Sequence, residues 1–367
     1  MKILLLGDAS NFHATLADSL KTKGHSVTVA SEGSGWMNTG RNINLYRAPG
    51  AVGTAKYALK LLKELPKMKG YDIVQVHNPI FLHLRPEKME KAFNYLRKYN
   101  GKIIYEALGT DSNYVKACVE GKTFRYSDYR IGSELSPYTK AFPTNEKAWF
   151  APEMVQYTDR FIENVDGIIA CLWEYYATYH DIAPEKLGYG GIPIDTKNIT
   201  PTPIKNEPEK VKFFIGIQKD RSILKGTDLI LEALTKVVAK YPDKCEMCIV
   251  QNRPYKEYIE LFHSSHVILD QLYSYTPATN ALLAMARGMI AVSGAEPEYY
   301  DFIGETKNHP IVNVSPIMDN DIFNKLEQIV LNKAQLPKMS RRCIEFADKH
   351  NSADTVAERH LDFWKRL

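Results

Sequence analysis

A basic loop between a strand pattern and a helix pattern is the segment of this chain best suited to chemistry. An apolar run ends at Gly216, and the polar loop that follows carries three cations, Lys219, Arg221 and Lys225. A helix pattern then begins after Gly226. Arginine can bind two phosphate oxygens at once, and lysine adds a point charge. The loop therefore predicts a diphosphate site, with a solvated basic loop as the alternative.

A second candidate site is the stretch after the apolar run that ends at Asp270. A loop over 275–280 precedes a helix pattern, and it contains Thr276, Ala278, Thr279 and Asn280. The first backbone N–H groups of a helix have no intrahelical acceptor, and the helix dipole favours negative charge there. This loop can therefore receive a phosphate without any particular side chain.

Three other motifs resemble cofactor or metal sites, but a structural role is favoured for each. The glycine-rich segment 33–40 follows the second predicted strand and does not have the spacing of a dinucleotide fingerprint. Asp319 and Asp321 form a D-x-D pair directly before a helix pattern, where carboxylates favour the helix start. Cys245 and Cys248 lie in a strand pattern with no second Cys or His pair nearby, so we expect two packed thiols and no metal site.

The elements that position these residues alternate between strands and helices. Strand patterns separated by helix patterns run from the first residues to 105, and again from 211 to 293, with helices over 57–65 and 255–264 among them. Such alternation predicts α/β domains with parallel, doubly wound sheets. The stretch 112–145 breaks this rhythm and is expected to be irregular. Four prolines fall between 192 and 210, which marks a domain boundary.

We therefore predict two tandem Rossmann-like domains, 1–195 and 196–344. A C-terminal helix over about 345–367 is expected to pack back on the first domain. Ligands of doubly wound domains bind at the carboxyl ends of the strands, so the two domains are expected to face a cleft.

Composition excludes several classes of protein. The 367 residues are 44% hydrophobic and 25% charged, as in ordinary globular proteins, and the net charge of +4 is too weak to indicate nucleic-acid binding. Five scattered cysteines indicate a reducing compartment. No run approaches the apolar length of a signal peptide or a membrane span. These features predict a cytoplasmic protein; its mild basicity is compatible with peripheral membrane contact, although no clean basic amphipathic helix is evident.

Several of these segments together resemble the nucleotide-sugar glycosyltransferases of the GT-B fold, in particular the retaining family four. The Gly216 to Lys225 segment is similar to the family's donor-diphosphate element, with Lys225 on the family's lysine and Arg221 in place of its arginine. His77, a candidate acceptor-side residue, lies in a strand that ends in His-Asn-Pro, as in the family. The segment 190–195 resembles the family's interdomain turn. The resemblance covers almost the whole chain.

The sequence departs from the family at two places. The family's paired glutamates fall on Tyr275 and Leu283, and Asp270 or Glu298 could replace their ribose contact. The family's reaction-centre histidine falls on Leu108, and the neighbouring carboxylates, Glu106 and Asp111, are candidates for its polar role. For Asp111 a loop or helix cap is the alternative. His13, after the first strand, is a candidate acceptor contact, with an exposed loop histidine as the alternative.

The resemblance implies transfer of a sugar from a nucleoside-diphosphate sugar to an acceptor hydroxyl, with retention and without a metal or other cofactor. The expected partners are the nucleotide sugar and a saccharide or lipid-linked acceptor, in surface polysaccharide or glycolipid synthesis. Two alternatives stay open: a nucleotide-sugar epimerase, and a non-catalytic paralogue that binds a nucleotide sugar.

Overall fold

The computed structural model describes residues 1–218, 221–251 and 260–367. Its strands lie in two parallel sheets and one short antiparallel hairpin. In chain order they are β1 Lys2–Leu6, β2 Ser26–Ser31, β3 Ile43–Asn44, β4 Ile73–Val76, β5 Lys102–Ala107, β6 Arg130–Ile131, β7 Glu134–Leu135, β8 Gly167–Ala170, β9 Leu187–Tyr189, β10 Val211–Ile217, β11 Cys245–Gln251, β12 Val267–Leu269, β13 Ile290–Ser293 and β14 Val312–Asn313.

Helices follow most of these strands, which confirms the predicted α/β class. The α-helices of the described residues are Phe12–Thr22, Gly50–Glu64, Pro86–Tyr99, Ser112–Glu120, Pro137–Ala141, Pro152–Asn164, Trp173–His180, Ser222–Lys225, Thr227–Lys240, Thr279–Arg287, Pro297–Phe302, Asp321–Leu331, Leu336–Asn351 and Ala353–Arg366.

The chain divides into two compact units. The first comprises Met1–Lys116, Thr144–Pro193 and Ala353–Leu367, and the second comprises Ala117–Pro143 and Ile194–Ser352. The sequence-based division put 117–143 in the first domain, and the structure corrects this. The segment is also less irregular than expected, because it contains the β6–β7 hairpin and the helix Pro137–Ala141.

The first unit is built on a seven-stranded parallel sheet with the order β3-β2-β1-β4-β5-β8-β9. Its central strands are buried on both faces, and the side chains from Ile3 to Leu6 are 0% exposed, which explains their unbroken apolar sequence. The strand order reverses between β1 and β4. Crevices at such a switch point, outside the carboxyl ends of the strands, are where ligands of doubly wound sheets bind.

The second unit is built on a five-stranded parallel sheet with the order β11-β10-β12-β13-β14. Its strand order reverses between β10 and β12. The loop with Arg221 and Lys225 follows β10, and Asp270 follows β12. The predicted diphosphate loop and the predicted second donor element therefore meet at the switch point of this sheet.

The predicted C-terminal helix is in fact two helices, Leu336–Asn351 in the second unit and Ala353–Arg366 in the first. The last helix packs on the first sheet because glycines leave room for it. A Cβ at Gly188 would lie 2.5 Å from Phe363, and one at Gly190 would lie 2.4 Å from His360.

The other predicted bounds differ mainly at element ends. The helix predicted over 57–65 begins at Gly50, where Gly50 has a φ of +84° and follows Pro49. Positions 255–259 of the helix predicted over 255–264 lie outside the described residues, and so does Lys219 of the basic loop.

Candidate functional site

The end of the basic loop, residues 221–226, is held against the loop after β12. Lys225 ends the short helix Ser222–Lys225, and Gly226, with a φ of +68°, connects it to the helix Thr227–Lys240. A Cβ at Gly226 would lie 2.7 Å from Leu272, so only glycine allows this approach. The Leu272 N–H donates to the Lys225 carbonyl at 2.9 Å. The two predicted donor elements are therefore joined through their backbones.

Lys225 and Asp270 form the charged centre of this site. The Lys225 Nζ lies 3.9 Å from the Asp270 Oδ1, and its side chain is 25% exposed. Burial raises the pKa of Asp270, while the nearby Lys225 charge, the Ala281 N–H and the Arg221 charge oppose that rise. Arg221 is itself exposed. An accessible ammonium and guanidinium beside a strand terminus can bind a diphosphate.

Two buried hydroxyls at this switch point, Tyr273 Oη and Ser274 Oγ, have no hydrogen-bond partner among the described residues. Ser293 forms a hydrogen bond with the neighbouring Asp270 carboxylate. Buried polar groups in native proteins are normally satisfied, so a cluster of unsatisfied ones indicates a ligand or water site. The hydroxyls can donate to phosphate or sugar oxygens, and the carboxylate can accept from a sugar hydroxyl.

The helix Thr279–Arg287 presents its N-terminus at the same place. Ala278 precedes it in an extended conformation, without a capping side chain. Thr276 is buried, Thr279 is half-buried and Asn280 is exposed. Gly216 lies near the end of β10, at the edge where this helix begins. Backbone N–H groups at a helix start of this kind can hold a phosphate.

The segment 117–143 contributes a contact that sequence reasoning missed. Tyr126 stacks on Tyr275 with ring centroids 4.7 Å apart, and its hydroxyl donates to Glu296 at 2.7 Å. Arg125 donates to Glu296 at 2.6 Å and also to Glu298. We call these five residues the clasp. The Tyr-rich composition of 112–145 was the available signal, but it did not identify the partners.

The clasp includes two positions that the resemblance to the family links to the ribose contact, Tyr275 and Glu298. Tyr275, where the family has a glutamate, is a buried aromatic residue whose hydroxyl accepts from the Arg125 N–H at 2.6 Å. Glu298 pairs with Arg125, so its carboxylate is engaged within the protein. Asp270, the other predicted replacement for the ribose contact, lies directly after β12.

Asp128 is a further titratable residue of this segment. Burial raises its pKa to about 7, and the Arg221 charge opposes that rise. The Asp128 charge in turn contributes to the raised pKa of Tyr273. Asp128 therefore lies within electrostatic reach of the donor-side loop, and shifted pKa values of this kind are common at functional sites.

The two carboxylates predicted at the reaction centre lie in the interior of the first unit. Glu106 is 0% exposed and bonds to Gln75 Nε2 at 2.8 Å and to His360 Nε2 at 2.7 Å. Burial raises its pKa. Because Trp364 also donates to Gln75, at 3.2 Å, this network fastens the last helix to β4 and β5. Glu106 does not reach a ligand surface.

Asp111 is likewise enclosed. It accepts from the hydroxyls of Tyr105 and Tyr179 and, at 2.9 Å, from the Tyr114 N–H, at the start of the helix Ser112–Glu120. Burial raises its pKa, and these hydrogen bonds oppose the rise. The geometry favours the alternative reading of Asp111, a helix cap. Leu108 is half-buried at the same strand end.

Of the two predicted acceptor-side histidines, one is a core residue. His13 lies within the helix Phe12–Thr22 and is 0% exposed, which corrects its prediction as a loop residue. Its Nδ1 lies 2.6 Å from the Gly7 carbonyl, and burial lowers its pKa to about 3. His77 follows β4 at the switch point and is half-buried. A Cβ at Gly7 would lie 1.7 Å from the His77 ring, which explains the glycine.

The remaining motifs have structural partners. Thr39, in the glycine-rich segment, donates to Asp8 at 2.7 Å and so ties that segment to the loop after β1. Asp321 accepts from the Ser315 N–H at 2.9 Å and pairs with Lys325 at 3.0 Å at a helix start. Cys245 and Cys248 are free thiols in β11. Within 1–218, 221–251 and 260–367, no group of three His, Cys, Asp or Glu side chains is placed to hold a metal.

A scan against protein-family models and a search of curated proteins give no match. Among solved structures, sucrose-phosphate synthase from Thermosynechococcus elongatus gives a TM-score of 0.62 at 14% identity, covering 100% of this chain and 99% of that one. Anabaena HepE, in complex with UDP and glucose, gives 0.61 at 11% identity over 100% of both chains. WaaG, a glycosyltransferase involved in lipopolysaccharide biosynthesis, gives 0.53 at 14% identity over 99% of both. These likenesses confirm the predicted GT-B fold.

Proposed function

We propose that this protein is a glycosyltransferase that moves a sugar from a nucleoside-diphosphate donor to an acceptor hydroxyl. The observation that carries the proposal is the switch point of the second sheet, where Lys225, Asp270 and the start of the helix Thr279–Arg287 come together. Solved structures with the same fold support it, since HepE has been solved in complex with UDP-glucose.

During transfer, this site would stabilise the leaving group, the nucleoside diphosphate. As the bond between the sugar and the diphosphate breaks, negative charge builds on the diphosphate oxygens. Lys225, Arg221 and the helix N-terminus are fixed positive groups that gain interaction energy as this charge develops. Transfer of this kind needs neither a redox cofactor nor a metal ion at the donor, and we propose that retention of configuration accompanies it, as the resemblance implies.

Asp270 is suited to bind the nucleoside or the sugar. Its carboxylate lies directly after β12, and a carboxylate oxygen can accept more than one hydrogen bond, including one from a hydroxyl of the ligand. His77 remains the candidate acceptor contact, because it is half-buried at the switch point of the first sheet. Burial lowers the pKa of His77 to about 4, so the ring is neutral at pH 7 and can accept as well as donate a hydrogen bond. We expect a saccharide or lipid-linked acceptor at this edge.

One set of observations favours a second candidate function, a nucleotide-sugar binder without transfer activity. Leu108 stands at the family's reaction-centre position, and both neighbouring carboxylates, Glu106 and Asp111, are enclosed. The donor-side loop would serve a binder equally well, so turnover has to be measured separately from binding.

A nucleotide panel followed by a transfer assay tests the proposal. Thermal unfolding is measured with the diphosphates of uridine, guanosine, adenosine and thymidine, because a ligand at 100 times its Kd stabilises by about 2.7 kcal/mol. The matching nucleotide sugar is then incubated with candidate acceptors, and diphosphate release is measured. Stabilisation with release supports a transferase, stabilisation without release supports a binder, and no stabilisation by any diphosphate contradicts both.

A further inference from the structure

The helix Gly50–Glu64 of the first unit is apolar on two opposite faces. One face packs inward through Gly53, Tyr57 and Leu61. The other face is open: Val52, Leu59 and Leu62 are 69%, 68% and 72% exposed. Because positions 52, 59 and 62 repeat with helical spacing, they form one stripe along the outer surface. Contiguous exposed apolar surface on a globular protein commonly marks an interaction site.

The charges around this stripe are mostly positive. Residues 50–69 contain five lysines, at positions 56, 60, 63, 67 and 69, and a single acidic residue, Glu64. Glu64 is paired with Lys67 at 2.7 Å. By helical geometry, Lys56 and Lys63 flank the stripe directly, and both are exposed. The outer face therefore combines exposed leucines with unneutralised positive charge.

We propose that this face, Val52, Leu59 and Leu62 with Lys56 and Lys63, docks on a membrane surface that contains anionic lipid. Apolar side chains that enter the boundary between head groups and acyl chains, with lysines at the level of the phosphates, are the pattern of an interfacial helix. A second copy of this chain fits less well, because a two-fold contact through the same stripe would bring the lysines of one copy against those of the other. The charge of the face therefore selects an anionic surface.

The place of this helix in the fold connects docking to the acceptor. β3 and β4 are parallel strands of one sheet, so their carboxyl ends lie at the same edge. The helix follows β3 through the connection that contains Tyr46, which is 53% exposed, and His77 follows β4. Docking would bring the bilayer to the edge of this unit that carries the candidate acceptor contact. This consequence rests on the proposed function, whereas the docking itself does not.

Vesicle flotation tests the docking without nucleotide sugar or acceptor, so its outcome is separate from that of the transfer assay. The full chain is mixed with vesicles of phosphatidylcholine alone or with about one third phosphatidylglycerol, at low and at high salt. We expect binding to the anionic vesicles that weakens with salt. The double change Leu59→Gln, Leu62→Gln should lower the partition coefficient at least about tenfold. The double change Lys56→Gln, Lys63→Gln should lower it about fivefold for each lysine.

Matched variants keep the test specific. Ile182→Gln removes an apolar side chain that is 46% exposed elsewhere in the first unit, and Lys91→Gln removes an exposed lysine of the helix Pro86–Tyr99. Both should float like the wild type, and thermal unfolding should show that all variants fold. Absent flotation of the wild type, or equal flotation of the leucine variant, would overturn the proposal. So would a wild-type dimer that the leucine variant converts to a monomer, because a second copy would then cover the face.

Discussion

The buried Asp111 carboxylate accepts hydrogen bonds from several neighbouring donors, so replacing one of its oxygens should lower the stability of the fold. In Asp111→Asn, an amide NH₂ replaces one of the two acceptors that face Tyr105, Tyr179 and the Tyr114 N–H. We expect a loss of about 1–3 kcal/mol in the free energy of unfolding, because one buried donor is left without an acceptor. Urea unfolding measures it.

The exposed carboxylate of Asp159, on the helix Pro152–Asn164, provides the control, and Asp159→Asn should unfold at the wild-type urea concentration. A wild-type unfolding midpoint for Asp111→Asn together with a loss of turnover would instead mean that Asp111 acts on the substrate.

His13 should make the protein sensitive to mild acid. Burial lowers its pKa to about 3, whereas an unfolded histidine titrates near 6.5. Between these values the unfolded state binds one more proton than the folded state. This contribution to stability is therefore complete above pH 6.5 and is lost as the pH falls, by about 1.4 kcal/mol per pH unit.

The measurement is urea unfolding at several pH values between 5 and 7, for the wild type and for His13→Gln. The variant is less stable at pH 7 because it loses core packing, but its stability should fall less steeply, by the equivalent of one proton. Equal slopes for the two proteins would show that His13 is not the group that titrates.

At the residue scale, sequence patterns predicted where the donor site lies better than they predicted which carboxylates face it. Lys225 and Asp270 were identifiable because each follows an apolar strand, and strand ends meet at one edge of a parallel sheet. Glu106 and His13 also lie beside strand ends, but packing by the last helix encloses them, and that helix is more than 200 residues away in sequence. The sequence around a residue does not show whether a segment distant in the chain will bury it.

At the element scale, the clasp should keep the segment 117–143 attached to the second unit. In Arg125→Ala, Glu296, whose side chain is 8% exposed, loses the cation that it pairs with. Because Arg125 is itself half exposed, we expect a modest loss of about 1 kcal/mol, or roughly fivefold faster hydrogen exchange of the segment's amides. Hydrogen exchange with mass spectrometry measures it.

Arg160→Ala is the matched control, since Arg160 also pairs with a carboxylate, Glu90, but in the first unit. It should leave exchange in 117–143 unchanged. If both variants exchange at the wild-type rate there, the stacking of Tyr126 on Tyr275 holds the segment without the ion pairs.

Two elements show why sequence patterns do not predict which partner each face of a helix packs against. The helix Gly50–Glu64 is apolar on its inner and outer faces, so its amphipathic character is hidden until the buried face is known. The C-terminal helices share a continuous pattern, and the change at Ser352 separates two helices that pack in different units. Periodicity identifies a helix, but the partner of each face is a property of the tertiary structure.

At the scale of the whole molecule, the doubly wound architecture was predictable from the sequence. The unit to which each segment of the chain belongs was not. Strand and helix alternation requires parallel sheets with crossover helices, which led directly to the two Rossmann-like units. The assignment of 117–143 to the second unit depends on pairs more than 140 residues apart, such as Tyr126 with Tyr275. No local preference encodes such a pairing.

The effect of Lys225→Ala on sugar transfer tests the proposed donor site most directly. If Lys225 stabilises charge on the departing diphosphate, its loss should cost roughly 2–4 kcal/mol in the transition state, which lowers kcat/KM by about two to three orders of magnitude. Arg221→Ala should give a smaller loss. Lys236→Ala, an exposed lysine of the following helix, should transfer like the wild type. If Lys225→Ala binds the nucleoside diphosphate as tightly as the wild type and keeps the full transfer rate, Lys225 does not stabilise the leaving diphosphate and the donor site lies elsewhere.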